Sequence, residues 1–220
     1  MLRVRDAMTR EVATLGPQAS AAEALVLCRE RGIRHLPVVD GGRLVGLVSD
    51  RDLRDVSPPR GSADAENTLG WVRLADIMTR DIETAHPLDT IEHAAHRIHT
   101  RRIGCLPVVA DGELAGIVTS SDMMRTLTDL VGASARGSWA EVEVSNEPGA
   151  LAGVATLVGD LGVNVAGVFL SPAQQSTHRI IVLRLERTDP SGVVSALKEA
   201  GYRAYGVESS SPLSTSYEES

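Results

Sequence analysis

Residues Gly32-Ile33-Arg34-His35-Leu36-Pro37-Val38-Val39-Asp40 lead through Gly41-Gly42 into Leu44-Val45-Gly46-Leu47-Val48-Ser49-Asp50-Arg51-Asp52. The pattern returns 70 positions later, without a gap, as Arg102-Ile103-Gly104-Cys105-Leu106-Pro107-Val108-Val109 and Leu114-Ala115-Gly116-Ile117-Val118-Thr119-Ser120-Ser121-Asp122. The same shift carries Asp6-Ala7-Met8-Thr9-Arg10 onto Asp76-Ile77-Met78-Thr79-Arg80, Thr14 onto Thr84 and Pro17 onto Pro87. One unit of roughly fifty residues has been duplicated.

Working outward within the first copy, Val12 to Leu15 reads as a short strand ended by Gly16-Pro17. Ser20 is placed to cap a helix on which Ala21, Ala24, Leu25 and Cys28 share one face. Val26 and Leu27 widen that apolar stripe, which predicts a second packing surface. Gly32 ends the helix, and Leu36 to Val39 and Leu44 to Val48 are strands joined by a tight turn at Asp40-Gly41-Gly42. Ser49-Asp50-Arg51-Asp52 opens a second helix, so the repeat runs β-α-β-β-α. In the second copy Ile91, Ala94, Ala95 and Ile98 take the places of Ala21, Ala24, Leu25 and Cys28. His93, His96 and His99 follow on that helix at spacings of three, but no Cys, Asp or Glu is placed to complete a metal site, so a solvated face is the expectation and no metal is assigned.

The 220 residues divide as 1–56 for the first copy, 57–70 for a Pro/Gly/Ser-rich connector, 71–130 for the second copy, 138–208 for a third unit and 209–220 for a Ser-rich tail expected to be disordered. Units this small stabilise themselves against a sibling or another subunit, so the two copies are expected to form one body within a homodimer. A net charge of −7 without any Lys/Arg run argues against a nucleic-acid surface. Two cysteines in unlike settings, Cys28 and Cys105, make no disulfide framework and no CxxC pair. The amino terminus lacks an apolar signal region and no apolar run is long enough for a bilayer, so the expected location is cytoplasmic, with no membrane partner.

Both copies resemble CBS domains, named for cystathionine β-synthase, through the His/Cys-Leu-Pro-Val-Val strand followed by Gly-Leu-Val-Ser-x-x-Asp or Gly-Ile-Val-Thr-x-x-Asp. The resemblance covers about residues 3–130 and implies a tandem pair, or Bateman module, with two clefts for adenosine-containing regulatory ligands such as AMP, ADP, ATP or S-adenosylmethionine. An enzyme is a further alternative, but no Ser/His/Asp or Cys/His arrangement can be placed together, no Gly-x-x-x-x-Gly-Lys-Ser/Thr loop occurs, and the acids singled out, Asp52 and Asp122, sit at helix starts. No enzyme activity and no cofactor are therefore expected. Ser49 with Asp52, and Thr119 with Asp122, stand at helix starts where free N–H groups favour phosphate and a carboxylate can accept ribose hydroxyls. The same spacing is that of a capping pair, and both readings stay open. Arg34 and His35 offer a cation and a donor to phosphate, so copy one is the better candidate for a phosphorylated ligand. His35 is equally readable as a structural histidine. Copy two, with Thr84, Thr119 and Asp122 beside Gly104-Cys105, suits a less charged adenosyl ligand or none, and Thr14 is the copy-one counterpart of Thr84.

From Trp139 the texture changes. Val142 and Val144 alternate with Glu141 and Glu143 as a strand, and Ser145 to Leu151 is a loop into a helix with Pro148 suited to its first turn. Leu151, Val154, Ala155 and Val158 give the helical stripe. Strands at Asn164 to Leu170 and His178 to Leu185, a helix from Pro190 to Ala200 and a strand from Tyr202 to Val207 complete a ferredoxin-like βαββαβ order. Asn146-Glu147-Pro148-Gly149-Ala150-Leu151 with Leu161-Gly162-Val163-Asn164-Val165 resembles an ACT domain, a small-molecule sensor that often takes amino acids. Gly149 and Asn164 are then the ligand-side residues, with turn roles as the alternative, and Asn146 stands where many amino-acid-binding members carry Asp.

The fold class is thus α+β, a CBS pair followed by an ACT domain. That order resembles bacterial acetoin-utilisation regulatory proteins of the AcuB type. The expected function is a non-catalytic sensor acting on an unknown regulated protein. The alternative is a structural or dimerisation scaffold with vestigial clefts.

Overall fold

The computed structural model describes residues 2–57, 69–130, 137–171 and 177–208. The chain divides into two compact units, Met1–Thr126 and Leu127–Ser220. The predicted tail and most of the predicted connector lie outside the described residues.

In the first unit, α1 (Val4–Ala7) is followed by α2 (Ala21–Arg31), β1 (His35–Asp40), β2 (Arg43–Ser49) and α3 (Asp50–Asp55). The second copy repeats this as α4 (Leu74–Ile77), α5 (Ile91–Arg101), β3 (Cys105–Ala110), β4 (Glu113–Thr119) and α6 (Ser120–Leu130). Helix α2 starts where predicted, with Ser20 Oγ accepting from Glu23 N at 3.2 Å and the Glu23 carboxylate accepting from Ser20 N at 2.7 Å. It stops at Gly32, whose φ of 62° suits a residue without a side chain. The equivalent stop in copy two is Arg102 at φ 55°, one of only two non-glycine residues with positive φ among those described. Both hairpins are antiparallel and turn through two residues of positive φ, Gly41-Gly42 and Asp111-Gly112, the backbone of a type I′ turn.

The predicted strand Val12–Leu15 is reduced to a single parallel bridge, Leu15 to Val38, and its counterpart is Ala85 to Val108. The chain here carries Gly16-Pro17 immediately after the bridge, and Pro cannot extend a ladder. Leu25 and Ala95 are half-buried, whereas Ala21, Ala24 and Cys28, and Ile91, Ala94 and Ile98, are buried as expected.

The two copies exchange their opening segments. Val4 is fully buried, but in the core of copy two with Ala94, Ile98, Leu106, Val108 and Val118. Leu74 and Met78 are buried in the core of copy one with Ala24, Leu36, Val38 and Val48. Backbone hydrogen bonds fix the exchange: Val4 N donates to Asp89 O and Leu74 N to Ala19 O, each at 2.9 Å. Thr9 pairs with Ile117 and Thr79 with Leu47 as antiparallel bridges. Glycine makes room for this crossing, since a Cβ on Gly116 would lie 2.8 Å from both Met8 Sδ and Thr9 O, and one on Gly46 would overlap Met78. Leu69, within the predicted connector, is also buried in the copy-one core.

The second unit has β5 (Ser138–Ser145), α7 (Ala150–Asp160), β6 (Val165–Leu170), β7 (His178–Leu185), α8 (Ser191–Glu199) and β8 (Arg203–Glu208). The sheet order β6-β7-β5-β8 is the ferredoxin-like one, antiparallel throughout. Val142, Ile181, Leu183 and Ala204 meet Val154, Val158, Val193 and Leu197 in its core. Two details differ from the sequence reading. Leu151 is 40% exposed and Ala155 is exposed, so the buried stripe is carried by Val154 and Val158. Pro148 lies in the turn before the helix, and Gly149, at φ 93°, is its N-cap.

Candidate composite clefts of the tandem repeat

Each helix start predicted to meet a ligand is an intact capping box. Ser49 N and Oγ both donate to Asp52 Oδ2 at 2.7 Å, and Asp52 N donates back to Ser49 Oγ at 3.3 Å. Thr119 N and Oγ1 donate to Asp122 Oδ2 at 2.9 and 2.8 Å, with Asp122 N returning to Thr119 Oγ1 at 3.3 Å. Ser20 and Glu23 form the same box on α2, and neither residue lines a cleft. The box alone therefore marks a helix start, and what separates Asp52 and Asp122 from Glu23 is the space in front of them.

Two clefts open beside these starts, with volumes of about 570 and 660 Å³, within the range usual for small-molecule sites. The smaller takes Thr119, Ser121 and Asp122 from copy two and Thr9, Glu11 and the Arg31–His35 segment from copy one. The larger takes Ser49, Arg51 and Asp52 from copy one and Thr79, Asp81 and the Arg102–Cys105 segment from copy two. The repeat shift of 70 maps Thr9, Ile117, Thr119 and Asp122 onto Thr79, Leu47, Ser49 and Asp52, so the clefts are related as the copies are. Both are composite because the opening segments are exchanged. Thr14 and Thr84 line neither.

The carboxylates are not equivalent. Asp122 is 6% exposed, and its Oδ1 accepts from Arg125 Nη2 at 2.8 Å, so both oxygens are engaged. Asp52 takes both its bonds on Oδ2, and no residue among those described bonds Oδ1. The copy-one counterpart of Arg125 is Asp55, which explains the difference. In the larger cleft Glu83 is held by Arg97 and Arg101, and this pairing keeps its carboxyl below the usual range.

Arg34 and His35 line both clefts. Burial, followed by the Arg34 charge, pushes the His35 imidazole below its ordinary value, although Asp50 and Asp52 pull the other way. His35 is therefore a neutral hydrogen-bonding group at pH 7, and Arg34 alone supplies the cation of that pair. Its ring occupies space that Gly104 leaves open, since a Cβ there would fall 2.6 Å from Cε1 and closer still to Nε2. Cys105, the counterpart of His35, is buried, and burial pushes its thiol up to about 12.

In the second unit Asn164 Nδ2 donates to Glu186 Oε2 at 2.8 Å on the surface, and Asn146 N donates to Thr177 O at 2.9 Å. Gly149 and Asn164 flank opposite ends of the 11-residue α7, roughly 16 Å long at 1.5 Å per residue, so within one chain they cannot hold one small ligand. His93, His96 and His99 are exposed, and no metal-binding cluster is found among the described residues. None of the described helices is long and apolar enough to cross a membrane.

Comparison with known families matches residues 4–58 and 74–129 to the CBS domain and residues 138–201 to the ACT domain. The chain belongs to the CBS-domain family and carries a C-terminal ACT domain. Among curated relatives, this CBS/ACT protein is 39% identical to an inosine-5′-monophosphate dehydrogenase of Korarchaeum cryptofilum over 55% of its own length and 23% of the relative's. It thus spans about a quarter of the length of that relative. A solved structure assigned to acetoin utilization (AcuB) from Vibrio cholerae is 32% identical, covers 61% of this chain and 96% of its own, and superposes with a TM-score of 0.53. CBSX2, solved in complex with AMP, is 32% identical with a TM-score of 0.52 over 60% of this chain and 99% of its own. The CBS pair of protein MJ0100, solved with 5′-methylthioadenosine and S-adenosyl-L-methionine, is 31% identical with a TM-score of 0.50 over 59% and 98%.

Proposed function

We propose that this protein is a cytoplasmic, non-catalytic regulatory sensor whose CBS clefts take adenosine-containing ligands, AMP, ADP, ATP or S-adenosylmethionine. The observation that carries the reading is the pairing of each helix-start hydroxyl and carboxylate with a cleft of ligand size, twice, in positions related by the repeat. The AMP and S-adenosylmethionine complexes of CBSX2 and MJ0100 support the ligand class. Asp52 accepts the ribose hydroxyls on its open Oδ1, and Asp122 does so once Arg125, whose side chain is 62% exposed, swings away. Ser49 and Thr119 supply hydroxyls, and Arg34 and His35 the phosphate-facing groups. An amino acid at the ACT domain, held near Asn146, Gly149 and Asn164 across a homodimer, is the second input, and a regulated partner protein receives the output. By linkage the partner and the nucleotide alter each other's affinity equally.

The scaffold reading has one observation in its favour, that both capping boxes are complete without any ligand. A thermal-shift panel of the adenosine ligands and common amino acids, on wild type, Asp52→Ala and Asp122→Ala, separates the two. A ligand at about 100 times its Kd adds about 2.7 kcal/mol. Stabilisation by an adenosine compound, diminished in one of the variants, supports the sensor. A flat response across the panel favours the scaffold.

A further inference from the structure

Arg34 and His35, alone among the described residues, line both clefts. They stand at the start of β1, where the two copies meet. The copies are complementary at this point rather than alike: where copy one has Arg34-His35, copy two has Gly104-Cys105, and the His35 ring fills the space over Gly104. A β-carbon at residue 104 would collide with that ring.

The backbone on either side of this contact runs directly to both ligand-side helices. Arg34 O accepts from Asp50 N at 2.9 Å, at the start of α3. Gly104 O accepts from Ser120 N at 3.1 Å and from Ser120 Oγ at 3.2 Å, at the start of α6. His35 itself pairs across the hairpin with Ser49, whose hydroxyl and N–H hold Asp52. One ring therefore sits between the two carboxylate–hydroxyl pairs.

We propose that His35 is a shared wall that couples the two clefts, so that an adenosine ligand in one weakens binding in the other. The proposal rests on the sensor reading above and adds the interdependence of its two sites. The physical reason is the hydrogen-bonding capacity of a single neutral imidazole, which has one N–H donor and one acceptor nitrogen. No protein group among those described bonds either nitrogen. A ligand that takes the N–H in one cleft leaves only an acceptor facing the other, and shifts a ring whose position is set by van der Waals contact with Gly104. A second ligand offering acceptor atoms to the same ring meets the wrong tautomer or a displaced wall. Arg34 compounds the effect, since one guanidinium cannot serve a phosphate on both sides.

The test is isothermal titration of the full chain with AMP. Asp52→Ala and Asp122→Ala each disable one cleft and give the affinity of the other taken singly. In wild type the second AMP is expected to bind at least about fivefold more weakly than the weaker of these single-cleft values, at the lower end of typical couplings. His35→Ala is expected to remove that penalty. Gly104→Ala keeps the imidazole but evicts it from its seat, and is expected to reduce the penalty as well, which separates a role of ring position from general damage by His35→Ala.

Wild-type binding in two steps equal to the single-cleft values overturns the proposal, as does a penalty that survives in both His35→Ala and Gly104→Ala. If only one single-cleft variant binds AMP, there is no second site to couple, and the proposal fails while the sensor reading stands. If AMP alone gives no binding heat with wild type, this inference falls, and if ADP, ATP and S-adenosylmethionine give none either, the sensor reading falls with it.

Discussion

Leu74→Ala tests the exchange of opening segments. Leu74 belongs by sequence to copy two, yet its side chain is fully buried in the copy-one core with Leu36, Val38 and Val48. Truncating a fully buried leucine costs about 2–5 kcal/mol, through lost transfer energy and the cavity left behind. The upper end requires a site that cannot collapse, and here α4 is only four residues long and tethered at Leu74 N and Ala75 N, which allows some closure. A cost of about 3 kcal/mol follows, which lowers the melting temperature of a unit this size by roughly 10 °C. Hydrogen exchange locates the effect. Three kcal/mol corresponds to about a 150-fold faster opening, expected at the amides of the β1–β2 hairpin, Leu36 to Val48, on the far side of the sequence from the mutation. A cost below about 1 kcal/mol, or exchange that quickens in Leu106 to Val118 while Leu36 to Val48 keeps its protection, refutes the exchanged packing.

Four other outcomes are expected. Ser20→Ala, Ser49→Ala and Thr119→Ala each remove a capping oxygen and lose about 1 kcal/mol in urea denaturation, but only the latter two weaken adenosine-ligand binding in a titration. Gly116→Ala destabilises more than Gly46→Ala, within about 1–3 kcal/mol, because the added methyl at 116 meets the Thr9 carbonyl of the backbone whereas the nearest atoms at 46 all belong to the Met78 side chain; melting curves of both compare them directly. His35 in the folded chain lies below its unfolded value of about 6.5, so between the two the unfolded chain binds the extra proton. Its contribution is whole above about pH 6.5 and is lost as pH falls toward the folded value, with Arg34 steepening and Asp50 and Asp52 moderating the loss, and His35→Gln flattens the urea midpoint between pH 7.5 and 5. Cys105, pushed up to about 12 by burial, stays a thiol and resists iodoacetamide at pH 8 in the folded protein but reacts in urea.

The sequence made local structure legible wherever one residue carries the signal. Gly32, Asp40-Gly41-Gly42 and the Ser49 and Thr119 boxes are read from residue type and spacing, and the structure places them as such. The ferredoxin-like order was legible for the same reason, since the alternation of Glu141 to Val144 and the helical spacing of Val154 and Val158 mark its first strand and helix. Leu151 and Ala155 were misplaced because a helix covering one face of a sheet buries a narrower stripe than the apolar residues on it suggest. The exchange of opening segments carried no such signal. A four-residue helix such as Val4–Ala7 has too few positions to show which core it enters, and the similar segments of the two copies, Val4-Arg5-Asp6-Ala7 and Leu74-Ala75-Asp76-Ile77, carry no mark of which core each fills. Thr14 and Thr84, matched by the repeat, sit beside the within-copy bridges of Leu15 and Ala85 and are not among the residues lining the two clefts.

The exchange also decides what a single copy can be. Val4 fills the core of copy two and Leu74 that of copy one, so a copy excised at its sequence boundary loses its own plug and exposes the one it carries. Each cleft loses a wall in the same cut, because the helix start and the segment facing it come from different copies. Folding of the pair and formation of the clefts are therefore one event. The residues at the meeting point, His35 over Gly104, are consequently free to diverge only together: a bulkier residue at 104 requires a smaller one at 35. Duplication supplies two clefts, and this asymmetric contact, together with Arg125 bound to Asp122 where copy one has Asp55, is where they stop being copies of each other.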